Sequence, residues 1–384
     1  MGLEISPDRL VQTLSAGERK LVEIAKALSC EPRLIIFDEP TTSLGERERE
    51  RLFELITRLR ERRITMTYIS HTLADVFRLC DHIVILRDGE VVGLGGTREF
   101  DQERLITLMV GRPLTRLFPE RENVGSRKFN RQETTPVLEA RDILKPDVAE
   151  NVSMAIYPGE VLGLAGLMGA GRSEFARILF GLDPRKGGKV LLDGKPLHRL
   201  SPRQLIQHGV GFLTENRHRD GLCLDASVAE NFSLVTLPEH SRTPFRYLSQ
   251  NSLRDAVTKM REVVRLDSKV SDTQPVRTLS GGNQQKIVLG KWLLLKPKVL
   301  ILDEPTRGID VGAKFEIYRL IYQLADNGTG MLVISSEMEE LMGLCDRILL
   351  MRKGRLVDEL SRAEFDRERI LSTCLGRAKE LASS

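Results

Sequence analysis

The chain has 384 residues, enough for two or three domains that each bury a core of their own. Its content of 41% hydrophobic and 29% charged residues is typical of a globular protein and argues against a disordered one. The formal net charge of +4 gives no nucleic-acid-binding signature, and no apolar run reaches the roughly 18 residues needed to cross a bilayer. With no N-terminal signal pattern, the sequence predicts a cytoplasmic protein that meets a membrane only through a partner.

Hydrophobic periodicity in the first 110 residues predicts alternating helices and strands. An apolar run at Leu34–Phe37 is predicted to be a strand buried on both faces, and it ends in the carboxylates Asp38 and Glu39. The other predicted elements are helices at Arg19–Leu28 and Glu46–Arg62, a strand at Ile64–Ser70 that leads to His71, and a hairpin of Ile83–Leu86 with Glu90–Gly93. Residues 111–136 are polar and without periodicity, so they are predicted to link a first domain, 1–110, to a second, 137–384.

The second domain is predicted to be an α/β domain built around a glycine-rich turn. That turn, Gly166 to Ser173, lies between an apolar strand and a helix. The predicted strands are Val137–Ala140, Ala155–Tyr157, Val161–Ala165, Val210–Leu213, Val299–Leu302 and Met331–Ser335, and the predicted helices include Glu174–Phe180 and Ala313–Ala325. Five cysteines, Cys30, Cys80, Cys223, Cys345 and Cys374, form no Cys-x-x-Cys pair and are predicted to be reduced and buried.

Part of the sequence occurs twice at a constant offset of 265 residues, as between Leu14 and Leu279. Asp38-Glu39-Pro40-Thr41 then falls on Asp303-Glu304-Pro305-Thr306, and the match needs no gap over about seventy-five residues. A constant offset over this length predicts a tandem repeat of one domain. On the same offset the first repeat lacks about 130 residues, including the glycine-rich turn and a central strand, which predicts an N-terminal truncation and a missing neighbour for the strand at Leu34–Phe37.

The glycine-rich turn matches the phosphate-binding pattern Gly-x-x-x-x-Gly-[Lys/Arg]-[Ser/Thr], with Arg172 where lysine is usual. Glycines let successive backbone N–H groups face phosphate oxygens, and the following helix adds its positive N-terminus. The hydroxyl of Ser173 is a candidate Mg²⁺ ligand, with Asp303 as its partner through water, and Glu304 is the candidate base or water-orienting group. The pattern therefore predicts a nucleotide site, in which Arg172 keeps the charge but fits a tight loop less well than lysine.

These motifs resemble those of the ATP-binding domains of ABC transporters. The resemblance rests on two signature sequences, Leu14–Glu18 and Leu279–Gln285, on the loop at Gly166, and on the two strands that end in Asp-Glu. The tandem layout and the sequences LSGGNQQK, GLMGAGRSE and DEPTRGIDVGAK are similar to fused ATP-binding subunits of bacterial monosaccharide importers, most closely those for ribose. The resemblance implies an α/β P-loop NTPase fold of the ABC ATPase type, with one partial and one complete domain in tandem.

In that family two domains dock head to tail, and each nucleotide lies between the phosphate loop of one domain and the signature of the other. The resemblance thus implies ATP and Mg²⁺ as ligands, with Glu304, Glu39 and the switch histidine His71 in catalytic roles. One implied site combines Gly166, Leu167, Met168, Gly169, Ala170, Gly171, Arg172, Ser173, Glu174, Glu215, Asp303, Glu304 and Ser336 with the signature residues Ser15 and Gly17. The other combines Asp38, Glu39 and His71 with Ser280, Gly281, Gly282 and Gln284.

Three residues depart from the family pattern, namely Arg172 for lysine, Glu215 for the usual glutamine and Ser336 for the switch histidine. They resemble the degenerate site known in this family. Together with the absent first loop, they predict ATP binding at Gly166 with little hydrolysis, so the activity of the chain is in doubt.

The resemblance implies an ATP-binding subunit at the cytoplasmic face of the inner membrane. Its partners would be integral-membrane sugar permease subunits and, indirectly, a periplasmic or extracellular sugar-binding protein. Two alternatives stay open: a non-transport ABC ATPase that acts on nucleic acid or the ribosome, and an inactive remnant. The unequal sites and the short linker of mixed charge argue against the first alternative, and no nucleic-acid partner is expected.

Overall fold

The structure is a computed structural model that describes residues 6–41, 44, 46–70, 72–87, 89–110, 118–119, 134–197, 200–242 and 247–376. The chain divides into two compact units. Unit 1 comprises residues 1–115 with 310–312, and unit 2 comprises residues 116–309 and 313–384. Each unit has a hydrophobic core of its own.

Unit 1 alternates helices and strands, as the periodicity predicts. The elements are α1 (Ala16–Leu28), β1 (Leu34–Asp38), α2 (Glu46–Glu61), β2 (Thr65–Ile69), α3 (Leu73–Leu79), β3 (His82–Arg87), β4 (Glu90–Gly96) and α4 (Gln102–Val110). β1 and β2 pair in parallel, and β3 and β4 form the predicted antiparallel hairpin. The core forms where Ile24 of α1 and Leu52 of α2 pack with Ile35 and Phe37 of β1.

From residue 138 onward the elements form a larger α/β unit. They are β5 (Leu138–Lys145), β6 (Ala149–Ile156), β7 (Val161–Gly166), α5 (Arg172–Leu179), β8 (Gly187–Leu192), β9 (Lys195–Pro196), α6 (Pro202–Gln207), β10 (Val210–Leu213), α7 (Val228–Ser233), β11 (Ser241–Arg242), β12 (Tyr247–Leu248), α8 (Gln250–Val263), α9 (Gly281–Leu293), β13 (Val299–Asp303), α10 (Val311–Asp326), β14 (Gly330–Ile334), α11 (Met338–Leu344), β15 (Arg347–Arg352), β16 (Arg355–Ser361) and α12 (Arg367–Leu375).

The main sheet of unit 2 has six strands in the order β10-β13-β14-β7-β15-β16. Its first five strands are parallel, and β16 is antiparallel to β15. β13 and β14 are buried along their whole length, as expected for a parallel sheet that helices cover on both faces. A second, antiparallel sheet in the order β6-β5-β8-β9 extends the two short strands predicted near residues 137 and 155.

The tandem repeat is present in the structure. Every helix and strand of unit 1 from α1 to α4 recurs with the same length at the offset of 265 residues, as α9, β13, α10, β14, α11, β15, β16 and α12. The backbone agrees in detail, since Glu39 and Glu304 have φ of 46° and 50° and Glu31 and Lys296 have φ of 47° and 50°. The two repeats therefore share local structure down to single left-handed residues.

The prediction that Leu34–Phe37 is buried on both faces is wrong. Leu34 and Ile36 are 54% and 63% exposed, whereas their counterparts Val299 and Ile301 are fully buried. In unit 2, α5 and β10 lie against β13, and the described part of unit 1 has no counterpart of either. In the described residues β1 pairs only with β2, whereas its counterpart β13 pairs with both β14 and β10, so the predicted unpaired edge of β1 is present. The predicted identity of the neighbour is wrong, because β7 lies between the counterparts of β2 and β3.

Among the residues that the structure describes, no helix is long and apolar enough to cross a membrane. All five cysteines are free thiols. Cys345 and Cys374 are buried, but Cys30 and Cys223 are exposed, so the prediction of burial is wrong for these two.

Candidate functional site

The glycine-rich turn lies between the end of β7 and the start of α5. Gly169 and Gly171 have φ of 80° and 98°, a left-handed backbone that favours glycine. A Cβ atom on Gly171 would lie 2.5 Å from the carbonyl oxygen of Val148, and one on Gly166 would lie 2.5 Å from that of Met351. Only glycine therefore fits at these two positions, where the backbone packs closely against other carbonyl groups. The first N–H groups of α5 have no partner within the helix and remain available to an anion. The loop geometry fits the phosphates of a nucleotide.

Arg172, the first residue of α5, points its guanidinium at the end of a neighbouring strand. Its Nη1 donates a 2.8 Å hydrogen bond to the carbonyl oxygen of Ser335, which follows β14. A Cβ atom on Gly166 would lie 3.3 Å from Arg172 Cδ, so the side chain passes close to the start of the loop. The positive charge is thus present at the loop, but one of its donors is engaged by the protein itself.

Ser173 and Asp303 meet beneath the loop. The Ser173 hydroxyl donates a 3.1 Å hydrogen bond to Asp303 Oδ1, and Asp303 is 2% exposed. The pKa of Asp303 is raised to about 7, chiefly by burial and in addition by the nearby carboxylates of Glu304 and Glu215. The Ser173 hydrogen bond and the charge of Arg172 act in the opposite direction. A cation would relieve this unfavourable buried negative charge, so the pair fits a Mg²⁺ ion.

No group of three or more His, Cys, Asp or Glu side chains that could hold a metal occurs in the described residues. Mg²⁺ in nucleotide sites takes one or two protein oxygens and completes its shell with phosphates and water. Ser173 and Asp303 would be those protein oxygens.

Glu304 is held beside the loop by an unusual backbone and by Ser336. Its φ is 50°, its N–H donates to the carbonyl oxygen of Ile334 at 2.8 Å, and its Oε2 accepts a 3.0 Å hydrogen bond from the Ser336 hydroxyl. Burial raises the pKa of Glu304, while the hydrogen bonds from Ser336 and the charge of Arg172 lower it. The carboxylate is therefore oriented by a neutral hydroxyl at the position where the family pattern has a histidine.

Glu215 follows β10 and forms an ion pair with Arg307. Both side chains are partly exposed, and Arg307 directly follows the Asp-Glu-Pro-Thr sequence. Glu215 is thus paired with the loop after β13, and its negative charge also raises the pKa of Asp303.

The signature residues of unit 2 form the start of α9. Ser280 is the N-cap and accepts a 3.4 Å hydrogen bond from the Asn283 N–H, and Gly281 and Gly282 form the first turn. Gln284 is buried, and its Oε1 accepts hydrogen bonds from Arg217 at 3.2 Å and from His218 at 2.8 Å. Arg217 belongs to none of the motifs from which the site was predicted. Its position two residues after Glu215, a predicted site residue, is the one feature of the sequence that could have identified it.

The corresponding residues of unit 1 have similar local structure. Ser15 caps α1 in a capping box with Glu18, and Gly17 in the first turn of this helix is buried. Asp38 is the last residue of β1, and Glu39 follows it in the sequence. Asp38 is exposed, unlike its buried counterpart Asp303. His71 lies outside the described residues.

Within unit 2 the structure brings one set of predicted residues to the carboxyl end of the parallel sheet. That set is Gly166 to Glu174, Glu215, Asp303, Glu304 and Ser336. The strand β7, the glycine-rich turn and the helix α5 follow one another, and Ser173 of α5 is hydrogen-bonded to the buried Asp303 at the end of β13 in the same sheet. This arrangement defines a P-loop nucleotide-binding ATPase.

Comparison with known proteins gives the family. The sequence model for ABC transporters matches residues 1–42 and 149–307. A ribose import ATP-binding protein of Bacillus licheniformis is 41% identical over 376 residues, which cover 98% of this chain and 74% of that protein. A putative ribose/galactose/methyl galactoside import ATP-binding protein of Pseudomonas fluorescens is also 41% identical, over 97% of this chain and 70% of its own length. The chain belongs to the ABC transporter family of ATP-binding proteins.

Solved structures give the same fold. A nucleotide-free ATP-binding cassette from an ABC transporter aligns with a TM-score of 0.54 at 21% identity, over 62% of this chain and 95% of that one. An ATP-binding cassette of an ABC transporter in its ADP conformation aligns with a TM-score of 0.53 over 65% of this chain. The predicted ABC ATPase fold is therefore confirmed.

The doubt about ATPase activity that the sequence analysis raised is not borne out by these comparisons. The match to ATP-binding import proteins runs over 98% of the chain and includes both repeats. The roles of the individual site residues stay predictions.

Proposed function

We propose that this chain is the ATP-binding component of a monosaccharide import system of the ribose type. The names of its relatives support this function, since they are ribose or ribose/galactose import ATP-binding proteins. In this proposal the chain works at the cytoplasmic face of the inner membrane and couples ATP binding and hydrolysis to transport through separate permease subunits. A periplasmic or extracellular sugar-binding protein delivers the sugar to those subunits.

The observation that carries the proposal is the Ser173–Asp303 hydrogen bond beneath the glycine loop. In the proposed site the loop and the N-terminus of α5 bind the phosphates, and Ser173 and Asp303 hold Mg²⁺. A Mg²⁺ ion held by these residues would supply positive charge that neutralises the terminal phosphates. Glu304, oriented by Ser336, positions the attacking water and accepts its proton.

The proposed organisation has domains at residues 1–110 and 137–384 with a linker at 111–136. Within the first domain we assign a signature role to Ser15 and Gly17, and catalytic-site roles to Asp38, Glu39 and His71. Within the second domain we assign the signature role to Ser280, Gly281, Gly282 and Gln284. The matched backbone at Glu39 and Glu304 supports equivalent roles for these two carboxylates.

The first experiment is an equilibrium titration of the whole chain with labelled ATP and Mg²⁺, on the wild type and on Ser173→Ala. We expect saturable binding that is weakened at least tenfold in the variant, because the hydroxyl ligand of the metal is lost. Ser372→Ala, at a partly exposed serine of α12, is the matched control. Wild-type protein that binds no ATP would refute the proposed function.

The second experiment tests transport. Proteoliposomes that contain the permease should take up monosaccharide from the binding-protein side only when this chain and ATP are on the opposite side. Uptake that does not depend on this chain would contradict the proposed role in import.

A further inference from the structure

Arg217 begins an unusual turn next to the nucleotide site. Residues Arg217–Gly221 form a five-residue π-helical turn, which follows β10 and Glu215. Asn216 caps this turn, since its side chain accepts a 3.1 Å hydrogen bond from the Arg219 N–H. π-Helical turns are rare and often occur at functional sites. The capped turn fixes the position from which the Arg217 side chain projects.

The Arg217 guanidinium joins two segments that are distant in sequence. Nη1 and Nη2 donate to the carbonyl oxygens of Arg307 and Gly308 at 2.8 and 3.3 Å, and Nε donates to Gln284 Oε1 at 3.2 Å. The planar fork of arginine suits two adjacent carbonyl groups, which the ammonium of lysine cannot grip together. Arg217 therefore holds the loop after β13 and the start of α9 at the same time.

This cation has no partner of opposite charge in the described part of the chain. Its hydrogen bonds all go to neutral oxygens, and burial lowers its pKa. Placing a half-buried charge without a carboxylate costs free energy. We therefore attribute the presence of Arg217 at this position to the loop geometry that it imposes, and not to a gain in the stability of the fold.

Glycines allow the close approach around the guanidinium. A Cβ atom on Gly281 would lie 2.9 Å from Arg217 Nη2 and 2.8 Å from the carbonyl oxygen of Gly308. Gly308 itself has φ of 66°. Gln285 of α9 also donates to the carbonyl oxygen of Pro305 at 2.6 Å, so α9 holds the start of this loop while Arg217 holds its end.

The same loop is tied to the nucleotide site through Glu215. Glu215 pairs with Arg307, whose carbonyl oxygen accepts the bond from Arg217. The loop also begins directly after Asp303 and Glu304, the proposed metal-binding and water-orienting residues. A change at these two residues on nucleotide binding would therefore reach the loop that Arg217 holds.

We propose that Arg217 is a positioning residue that transmits occupancy of the Gly166 nucleotide site to the signature sequence at the start of α9. The path runs from Glu215 through Arg307 and Arg217 to Gln284. This inference rests on the proposed ATP site.

The test is hydrogen exchange followed by mass spectrometry on the whole chain, with and without ATP and Mg²⁺. In the wild type we expect ATP to change exchange in residues 281–285 and 305–309 by roughly fivefold or more, the range of a typical coupling free energy. In Arg217→Ala and Arg217→Lys we expect that change to be lost, while residues 166–173 still respond and the Kd for ATP stays within about threefold. Arg219→Ala is the matched control, because Arg219 lies on the same turn with 83% of its side chain exposed.

The possible results separate the two proposals. A wild type that binds ATP without a response at residues 281–285, or variants of Arg217 that respond like the wild type, would overturn the role of Arg217 alone. A wild type that does not bind ATP would overturn the proposed function and this inference with it. Arg217→Lys that couples like the wild type would show that charge, and not the two-carbonyl grip, carries the effect, and would refute the proposed geometry.

Discussion

Asp303 shows how a residue that suits a ligand weakens the empty protein. It is buried beside two other carboxylates, and its pKa is raised to about 7. Between its ordinary pKa near 3.8 and about 7, the folded state holds a proton that the unfolded chain has released. The contribution of Asp303 to the free energy of unfolding therefore falls as the pH rises through this window.

Asp303→Asn should remove this penalty. At pH 7.5 without nucleotide we expect its free energy of unfolding to exceed that of the wild type by about 2 to 4 kcal/mol, because three pKa units correspond to about 4 kcal/mol. Urea unfolding at several pH values between 4 and 8 measures the effect, and stabilisation by ATP and Mg²⁺ should be lost. The counterpart Asp38→Asn is the control, since Asp38 is exposed. Parallel pH curves for wild type and Asp303→Asn would contradict the prediction.

Arg172 occupies the position of the phosphate-binding lysine, and its side chain is partly engaged by the protein. Its Nη1 is engaged by the Ser335 carbonyl, which limits what the side chain gives to a terminal phosphate. Arg172→Lys places a compact ammonium in the loop, and we expect kcat for ATP hydrolysis to rise roughly tenfold through better charge stabilisation. Steady-state ATPase assays test this. Arg177→Lys, on the same helix and paired with Asp183, should leave kcat unchanged. An unchanged or lower kcat in Arg172→Lys would count against the reasoning.

β1 and β13 show how neighbours decide the environment of one repeated element. The strands have the same length and the same parallel partner, as β2 corresponds to β14. Ile36 is 63% exposed, while Ile301 at the equivalent position is fully buried between layers that include α5. The difference arises from packing alone, because both strands have similar apolar sequences.

The pair Ile36→Thr and Ile301→Thr measures this difference. Threonine keeps the β-branched shape, so strand propensity changes little in either variant. We expect Ile301→Thr to lower the free energy of unfolding by about 2 to 4 kcal/mol, because it buries a hydroxyl and loses apolar contact. Ile36→Thr should change it by less than about 0.5 kcal/mol and reduce light scattering on storage. Similar losses in both variants would show that β1 is covered in solution.

The sequence predicted most element positions but not their partners. The strand at Val210–Leu213 is confirmed to the residue, and the helix predicted at Ala313–Ala325 differs from α10 by two residues at its start and one at its end. Periodicity is a local property, which explains this accuracy. The antiparallel sheet formed by β5, β6, β8 and β9 was only partly predicted, because short strands with irregular register carry weak periodicity.

At the scale of the molecule, the two units have separate cores, and the phosphate loop belongs to unit 2. We expect calorimetry to resolve two transitions, the first from unit 1 with its smaller core. ATP with Mg²⁺ should stabilise only the second, by about 2.7 kcal/mol at a hundredfold excess over Kd. At the same ATP concentration, Ser173→Ala should reduce this shift to about 1.4 kcal/mol or less, because it binds ATP at least tenfold more weakly. A single transition, or a shift of both, would contradict independent unfolding.

The sequence by itself determined the tandem repeat, the phosphate loop and the carboxylate pairs, because a constant offset and a fixed motif are properties of order along the chain. The tertiary structure decided which distant groups meet. Arg217 reaches the Arg307 carbonyl across 90 residues, and Arg172 reaches the Ser335 carbonyl across 163. It also decided that β1 is half exposed while β13 is buried. Burial and long-range hydrogen bonds depend on the segments that fold against an element, and a local pattern carries no information about them.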